Sequence, residues 1–237
     1  MRIQKEYPEK EIIKLFNRGC TRFNLLEDGD KILIALSGGK DSLELVRLLA
    51  MRSRIHKPSI NVEAAHVLMD NIPYETDRSY ISGFCEEQGI KLHILHTRFE
   101  EDETARKTHC FLCSWHRRKA LLEFARDNGF NKVALGHHMD DIVTTFLMNI
   151  TFEGSRNTMT PKLQQTHYPV QIIRPLCMVH ERLISDAARQ FGFERQKTPC
   201  PYEHDTQRKS MTDVLRALES LNPEARYSLW KAMGLEQ

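Results

Sequence analysis

Six residues, Ser37-Gly38-Gly39-Lys40-Asp41-Ser42, separate the apolar run Ile32-Leu33-Ile34-Ala35-Leu36 from a helix-periodic stretch with Leu43, Leu45, Val46, Leu48 and Leu49. A buried strand therefore turns through two glycines into a helix capped by Asp41 or Ser42. The first turn of any helix carries unpaired N–H groups and a partial positive charge, so this junction is built to hold an anion such as phosphate. Glycine lets the backbone approach an anion that a Cβ would push away. The spacing differs from G-x-x-x-x-G-K-[ST], which has four residues between its glycines.

The surrounding pattern alternates strand-like and amphipathic segments, as a parallel sheet with crossover helices requires. Strands are expected at 31–36, 62–69, 91–96, 132–136 and 170–174. Helices are expected at 9–24, 42–54, 74–89, 114–128, 140–151, 181–190, 209–221 and 224–233. The fold class is α/β, a doubly wound parallel sheet with a small helical C-terminal tail. The expected division is an N-terminal helical segment 1–25, a nucleotide-binding α/β domain 26–175 and a helical region 176–237. In such sheets ligands bind beyond the C-terminal strand ends, near the point where strand order reverses. Ser37, Asp70, His96 and His137 all fall there and can converge on one cleft.

Composition narrows the class further. A chain of 237 residues, 41% hydrophobic and 28% charged, can bury one substantial core. No apolar run approaches the roughly 20 residues needed to span a bilayer, and the charged N-terminus is unlike a signal peptide. A cytoplasmic protein without a membrane partner is expected. The net charge of +2 does not by itself announce a nucleic-acid binder. Charge is uneven, however: acidic Glu100 to Glu103 precede Arg106, Lys107, Arg117, Arg118 and Lys119, a basic stretch able to grip RNA phosphates. Phe111 can stack on an unpaired base, whereas Trp115 reads more as a core residue.

Six cysteines in a reducing compartment favour metal binding, catalysis or packing over disulfides. Cys110-Phe-Leu-Cys113 reads as a loop just before a helix, and Cys200 stands far downstream between two prolines. A C-x-x-C pair suits zinc, an iron–sulfur cluster or a redox dithiol, and His109 or His116 could complete a zinc site. Ser114 follows the pair where haem attachment needs His. Cys20, Cys85 and Cys177 read as small apolar residues.

Ser-Gly-Gly-Lys-Asp-Ser resembles the PP-loop of the adenine nucleotide alpha-hydrolase superfamily, whose members split ATP between the α and β phosphates. Together with Cys110-x-x-Cys113, Gly136-His-His-Met-Asp-Asp141, Arg174-Pro-Leu and Pro199-Cys200, in that order, the chain resembles the tRNA 2-thiocytidine synthase (TtcA) family from about Cys20 to Met233. One departure is Cys200-Pro-Tyr-Glu203, where some relatives carry a second C-x-x-C.

The resemblance implies an ATP-dependent sulfurtransferase acting on C2 of an anticodon-loop cytidine, at tRNA position 32. It implies a 4Fe–4S cluster on Cys110, Cys113 and Cys200, a desulfurase-type sulfur donor and a homodimer. ATP would sit on Ser37, Gly38, Gly39, Lys40, Asp41 and Ser42, with Leu68, Met69 and Asp70 near adenine. Gly136 and His137 would lie by the α-phosphate, and Asp41 and Asp141 would carry Mg²⁺. Lys40, Asp41, His137 and Asp141 are the catalytic candidates. The alternatives left open are thiolation of another base, a lysidine-type ligation and a metal-loaded binding module without catalysis.

Overall fold

In the computed structural model, which describes residues 8–72, 77–100, 108–194 and 206–235, the apolar run before the glycines is strand β1 (Asp30–Ala35). It follows helix α1 (Pro8–Arg22) and leads into α2 (Lys40–Ser53). The chain continues through β2 (Ile60–Met69), α3 (Arg78–Gln88), β3 (Leu92–Thr97), α4 (His109–Asp127), β4 (Lys132–Ala134) and α5 (Met139–Glu153). Strands β5 (Lys162–Gln164) and β6 (Gln171–Ile173) precede α6 (Glu181–Gln190), α7 (Thr206–Leu221) and α8 (Ala225–Ala232).

The sheet has the order β3-β2-β1-β4-β6-β5. Every pairing is parallel except β5 against β6. Strand order reverses between β1 and β4, so the loops leaving these two strands diverge and open a crevice at their C-terminal ends.

Period-two alternation decides which helices cover which face. Ile32, Ile34 and Leu36 pack with Ile12 and Phe16 of α1, the leucines of α2, Ile142 of α5 and Ile184 of α6. Leu33, Val133 and Ile172 point the other way, against Leu121, Leu122 and Ala125 of α4. Helices on both faces explain why the central strands are apolar throughout. Leu215 of α7 and Trp230 of α8 join the first cluster, so the C-terminal helices share the core of the sheet domain. Among the described residues no helix is long and apolar enough to cross a membrane.

The opposite, N-terminal edge of the sheet is pinned by a buried ion pair. Lys132 Nζ lies 2.7 Å from Asp30 Oδ2 and 3.1 Å from the Leu25 carbonyl. Asn131 and the Glu27 backbone also donate to the Asp30 carboxylate. This polar cluster joins the starts of β1 and β4, the two strands whose far ends frame the crevice.

Three expectations are corrected. Helix α4 begins at His109, because Thr108 caps it by accepting from Phe111 N at 3.3 Å, so Cys110 and Cys113 lie in a helix rather than a loop. Helix α2 is capped by Gly39, with Asp41 and Ser42 already in its first turn. Strand β5 stands between the expected helix 140–151 and strand 170–174, where no element was expected; its three residues are too few to show a period. Helix α3 starts at Arg78 behind an Asp77 cap, and the remainder of the expected 74–89 helix before Asp77 lies outside the described residues.

Candidate active site

The turn after β1 is held by its own two serines. Gly38 has φ +87°, a left-handed conformation that favours glycine. Its N–H donates to Ser42 Oγ at 3.2 Å, and Ser42 Oγ donates to the Gly39 carbonyl at 2.8 Å. Ser42's proton is thereby committed, so the 3.1 Å contact between the two hydroxyls is a bond donated by Ser37. Gly39 N–H returns to Ser37 Oγ at 3.3 Å. The loop is thus set before any ligand arrives, and the N–H groups of Lys40 and Asp41 open the helix with no intrahelical acceptor.

The neighbouring turn, after β4, presses directly on this one. A Cβ at Gly136 would come within 3.2 Å of the Asp41 carbonyl carbon and of Ser42 N. Glycine is needed there for contact between the two loops that frame the crevice. Beyond it, His138 caps α5. The His138 backbone N–H donates to Asp141 Oδ2 at 3.1 Å, and Asp141 N–H donates to His138 Nδ1 at 3.4 Å. The sequence reading placed the chemistry on His137 and Asp141 and gave His138 no role.

The cap also fixes the tautomer of His138. Nδ1 accepts, so the proton of the neutral ring sits on Nε2, 3.4 Å from Asp141 Oδ2 and 3.8 Å from Asp41 Oδ1. Asp41 and Asp141 therefore face one buried imidazole. Among the described residues no three His, Cys, Asp or Glu side chains gather as an ion site. A cation held by these two carboxylates would take its other ligands from phosphate oxygens and water, the usual habit of Mg²⁺.

Lys40 Nζ lies 3.0 Å from Asp41 Oδ1 and 3.2 Å from Glu181 Oε1. Partial burial opposes its charge, but the two carboxylates outweigh that and hold its pKa above the usual lysine value. Asp140, the neighbour of Asp141, serves structure: its carboxylate accepts from Glu181 N at 2.9 Å and meets Arg226 at 2.6 Å. Arg226 also reaches Glu219 at 2.9 Å, tying α8 and α7 to the crevice. Lys40, Asp41, His138, Asp141, Glu181 and Arg226 contribute to the walls of a cleft of ≈ 800 Å³. Glu181 and Arg226 were absent from the sequence reading; no local motif marks either.

On the other flank, Met69 at the end of β2 is buried with Ile72, Phe99 and Leu112, and Cys113 packs against them. The start of α4 thus lies over the C-terminal ends of β2 and β3, the edge of the sheet from which the Ser37–Ser42 loop leaves β1. Asp70 is exposed and its Oδ1 is 2.8 Å from His96 Nδ1. Leu68 is half-buried, whereas the Met69 side chain is engaged in packing. Cys110 is exposed and Cys113 partly so. Both sit in the first turns of α4.

Two thiols three residues apart on one helix face are a fitting donor pair for an iron–sulfur cluster or for zinc. Cys200, the third expected ligand, and Arg106 and Lys107 of the expected RNA-binding set lie outside the described residues. Phe111 is 47% and Trp115 46% exposed, which corrects the core assignment of Trp115. Lys119 lies 5.4 Å over the Trp115 ring, and Arg118 is exposed on the same helix. By contrast Cys20, Cys85 and Cys177 are buried; burial raises the first two thiols to about 12 and about 11, and Cys177 also upward.

Comparison with known proteins agrees with this geometry. The PP-loop domain family matches residues 6–232. The tRNA-cytidine(32) 2-sulfurtransferase of Geobacter metallireducens is 35% identical, with 95% of this chain and 91% of that protein aligned. Its counterpart from Bdellovibrio bacteriovorus is 34% identical over 94% of this chain and 86% of its own. Among solved structures, the U34-tRNA thiolase NcsA from Methanococcus maripaludis with its 4Fe–4S cluster superposes with a TM-score of 0.78 at 26% identity, covering 97% of this chain and 80% of that one. The chain belongs to the PP-loop domain family and, within it, to the tRNA-cytidine(32) 2-sulfurtransferase family.

Proposed function

We propose that this protein replaces the C2 oxygen of a tRNA anticodon-loop cytidine, at position 32, with sulfur at the expense of ATP. The observation that carries this reading is the placement of Cys110 and Cys113 at the same sheet edge as the Ser37–Ser42 loop, in a chain whose 34–35% identical relatives bear that activity in their names. The C2 oxygen is a poor leaving group in an amide-like ring. Attack of that oxygen on the α-phosphorus breaks the α–β bridge, and pyrophosphate departs with the bonding pair. The oxygen is then part of a phosphate ester, sulfide adds at C2, and AMP leaves carrying the original oxygen. One hard displacement becomes two easier ones.

The chain's own residues fit the first half closely. The N–H groups of Lys40 and Asp41 and the Lys40 ammonium stabilise the β and γ phosphates as charge accumulates on them. Asp41 and Asp141, facing His138, carry Mg²⁺. Gly136 and His137 stand at the α-phosphate, with His137 donating to it as it becomes five-coordinate. Leu68, the Met69 backbone and Asp70 border adenine.

For the second half, Cys110, Cys113 and Cys200 would hold the cluster. A three-cysteine 4Fe–4S cluster supplies an iron position without a protein ligand, at which sulfide can be kept next to the activated carbon. The sulfur donor is a desulfurase-type protein, the site of action the cytoplasm, and the working unit a homodimer.

The test is mass analysis of tRNA nucleosides from cells lacking the gene, with purified anaerobic protein added back. Loss of 2-thiocytidine and its return with ATP and sulfide are expected. An unchanged nucleoside profile, or thiolation without pyrophosphate release, would overturn the reading.

A further inference from the structure

Three cationic side chains are more than nine-tenths buried among the described residues: Arg47, Lys132 and Arg174. Two of them are matched by acids. Arg47 pairs with Glu44 at 2.8 Å and Glu9 at 3.0 Å, and Lys132 with Asp30 at 2.7 Å. Arg174, only 6% exposed, is different. Its Nη1 donates to the Thr160 carbonyl, and its Nε has no hydrogen-bond partner. Burial lowers its pKa to about 10, and the next largest influence is the repulsive charge of Arg118; no carboxylate figures among the causes. A buried guanidinium without a counter-charge is costly, and such a group is retained where an anion completes it.

The position of Arg174 says where that anion would be. It directly follows β6 at the C-terminal edge of the sheet, beside β4. Ile172, two residues earlier, packs with the α4 side chains, so the alternation of the strand directs Arg174 toward α4. Arg118, exposed on that helix, is near enough for its charge to be felt at Arg174.

We propose that Arg174 and Arg118 form a phosphate-binding subsite between the end of β6 and α4. Its ligand is a phosphate ester, either a backbone phosphate of the RNA next to the target base or a phosphate of ATP. The RNA source rests on the function proposed above; the ATP source does not. Arg suits the task because its planar fork engages two phosphate oxygens, which lysine cannot reproduce.

The experiment compares wild type with Arg174→Lys and Arg118→Ala, the latter at an exposed position and therefore free of folding risk. Thermal melting in inorganic phosphate, tRNA affinity between about 50 and 200 mM salt and ATP affinity by calorimetry are measured for each. Phosphate should raise the wild-type melting midpoint and raise those of the variants less. About tenfold weaker tRNA binding, with a salt slope reduced by about one phosphate and ATP affinity unchanged, assigns the subsite to RNA. The reverse pattern assigns it to ATP. Retention of phosphate, tRNA and ATP binding by both variants would overturn the proposal. If Arg174→Lys does not fold, Arg118→Ala decides alone. A wild-type protein that binds tRNA yet forms no 2-thiocytidine would count against the proposed function while leaving this comparison intact.

Discussion

Gly136 lies against the backbone of Asp41 so closely that a methyl group in place of its hydrogen would stand 3.2 Å from the Asp41 carbonyl oxygen. The two residues are on different crossover units, and their contact sets the width of the crevice between β1 and β4. Gly136→Ala should therefore displace the first turn of α2 by a few tenths of an ångström. Overpacking of this kind costs about 1–3 kcal/mol, and here it falls on the N–H groups proposed to bind phosphate. A rise of about tenfold or more in the KM for ATP is expected, with a smaller proportional loss in tRNA affinity. Pyrophosphate-release kinetics on a folded variant check it; an unchanged KM would show that the loops do not need this approach.

Glu181 and Asp41 hold the Lys40 ammonium that the proposed function assigns to the nucleotide phosphates. The Lys40–Glu181 pair at 3.2 Å is half-exposed, and pairs of this kind add about 0–1 kcal/mol to stability. Glu181→Gln should leave the melting midpoint almost unchanged while releasing Lys40 to phosphate. ATP affinity should rise by up to about fivefold, read by calorimetry. Lys40→Ala should instead lower pyrophosphate release by about 10²-fold or more, the usual cost of removing a donor from developing negative charge.

Local chain signals made the central fold legible. The run from Ile32 to Leu36, the glycine turn and the leucines up to Leu49 are consecutive in the chain, and propensity, period and burial all agree there. The same holds for the helix-to-sheet alternation up to α5. What stayed hidden depends on distant or weak signals. Lys40 meets Glu181 across 141 positions, so no window contains both. His138 is an unusual N-cap residue, which is why the capping box with Asp141 went unread. The start of α4 rests on a single Thr108 hydroxyl, and a helix begun five residues later looked equally periodic. Trp115 was assigned to the core because large aromatics are usually buried; it instead stands 46% exposed near the start of α4, with Lys119 over its ring.

The six cysteines should divide sharply by reactivity. Thiolates are the reacting form, and a pKa of about 12 or 11 leaves only a minute thiolate fraction in Cys20 and Cys85 near neutral pH. Cys177, also buried, joins them. Brief iodoacetamide treatment of cluster-free protein should modify Cys110 and Cys113 and spare these three, as read by peptide mass mapping. Alanine at Cys110 or Cys113 should abolish iron retention and the absorbance near about 400 nm that marks thiolate-bound iron–sulfur centres. Alanine at Cys85 should leave both unchanged, and removal of the iron by chelation should spare ATP binding, since the nucleotide loop uses none of these thiols.

Asp30 is the counter-charge that allows Lys132 to be 1% exposed. Asp30→Ala would leave a buried ammonium with only the Leu25 carbonyl and the more distant Glu27 for partners. Removing one member of a buried pair costs about 3–5 kcal/mol. The loss should appear in urea denaturation as a lower midpoint at similar slope. Asp30→Leu combined with Lys132→Met should recover much of it, because the pair is then replaced by apolar volume rather than broken.

His66 and His180 should make the protein acid-sensitive. His66 Nδ1 donates to the Leu36 carbonyl at 2.7 Å, directly before the nucleotide loop, and its buried Nε2 has no partner. His180 Nδ1 must accept from Arg226, which has only donors, so its Nε2 proton points to the Tyr227 hydroxyl at 2.8 Å. Burial, aided by nearby arginines, lowers both pKa values below the usual histidine value. The unfolded chain therefore binds protons first as pH falls, so stability rises with pH across the window between the folded values and about 6.5. This contribution is complete above about pH 6.5 and disappears as acid carries the pH through the folded pKa values, at up to about 1.4 kcal/mol per pH unit for each ring. Protonated His180 would also repel Arg226, loosening α8 from the crevice. Denaturation midpoints from about pH 7.5 to 5 should fall steadily in the wild type. They should fall with a shallower slope in His180→Gln, which cannot take up that proton; equal slopes would show that His180 does not contribute.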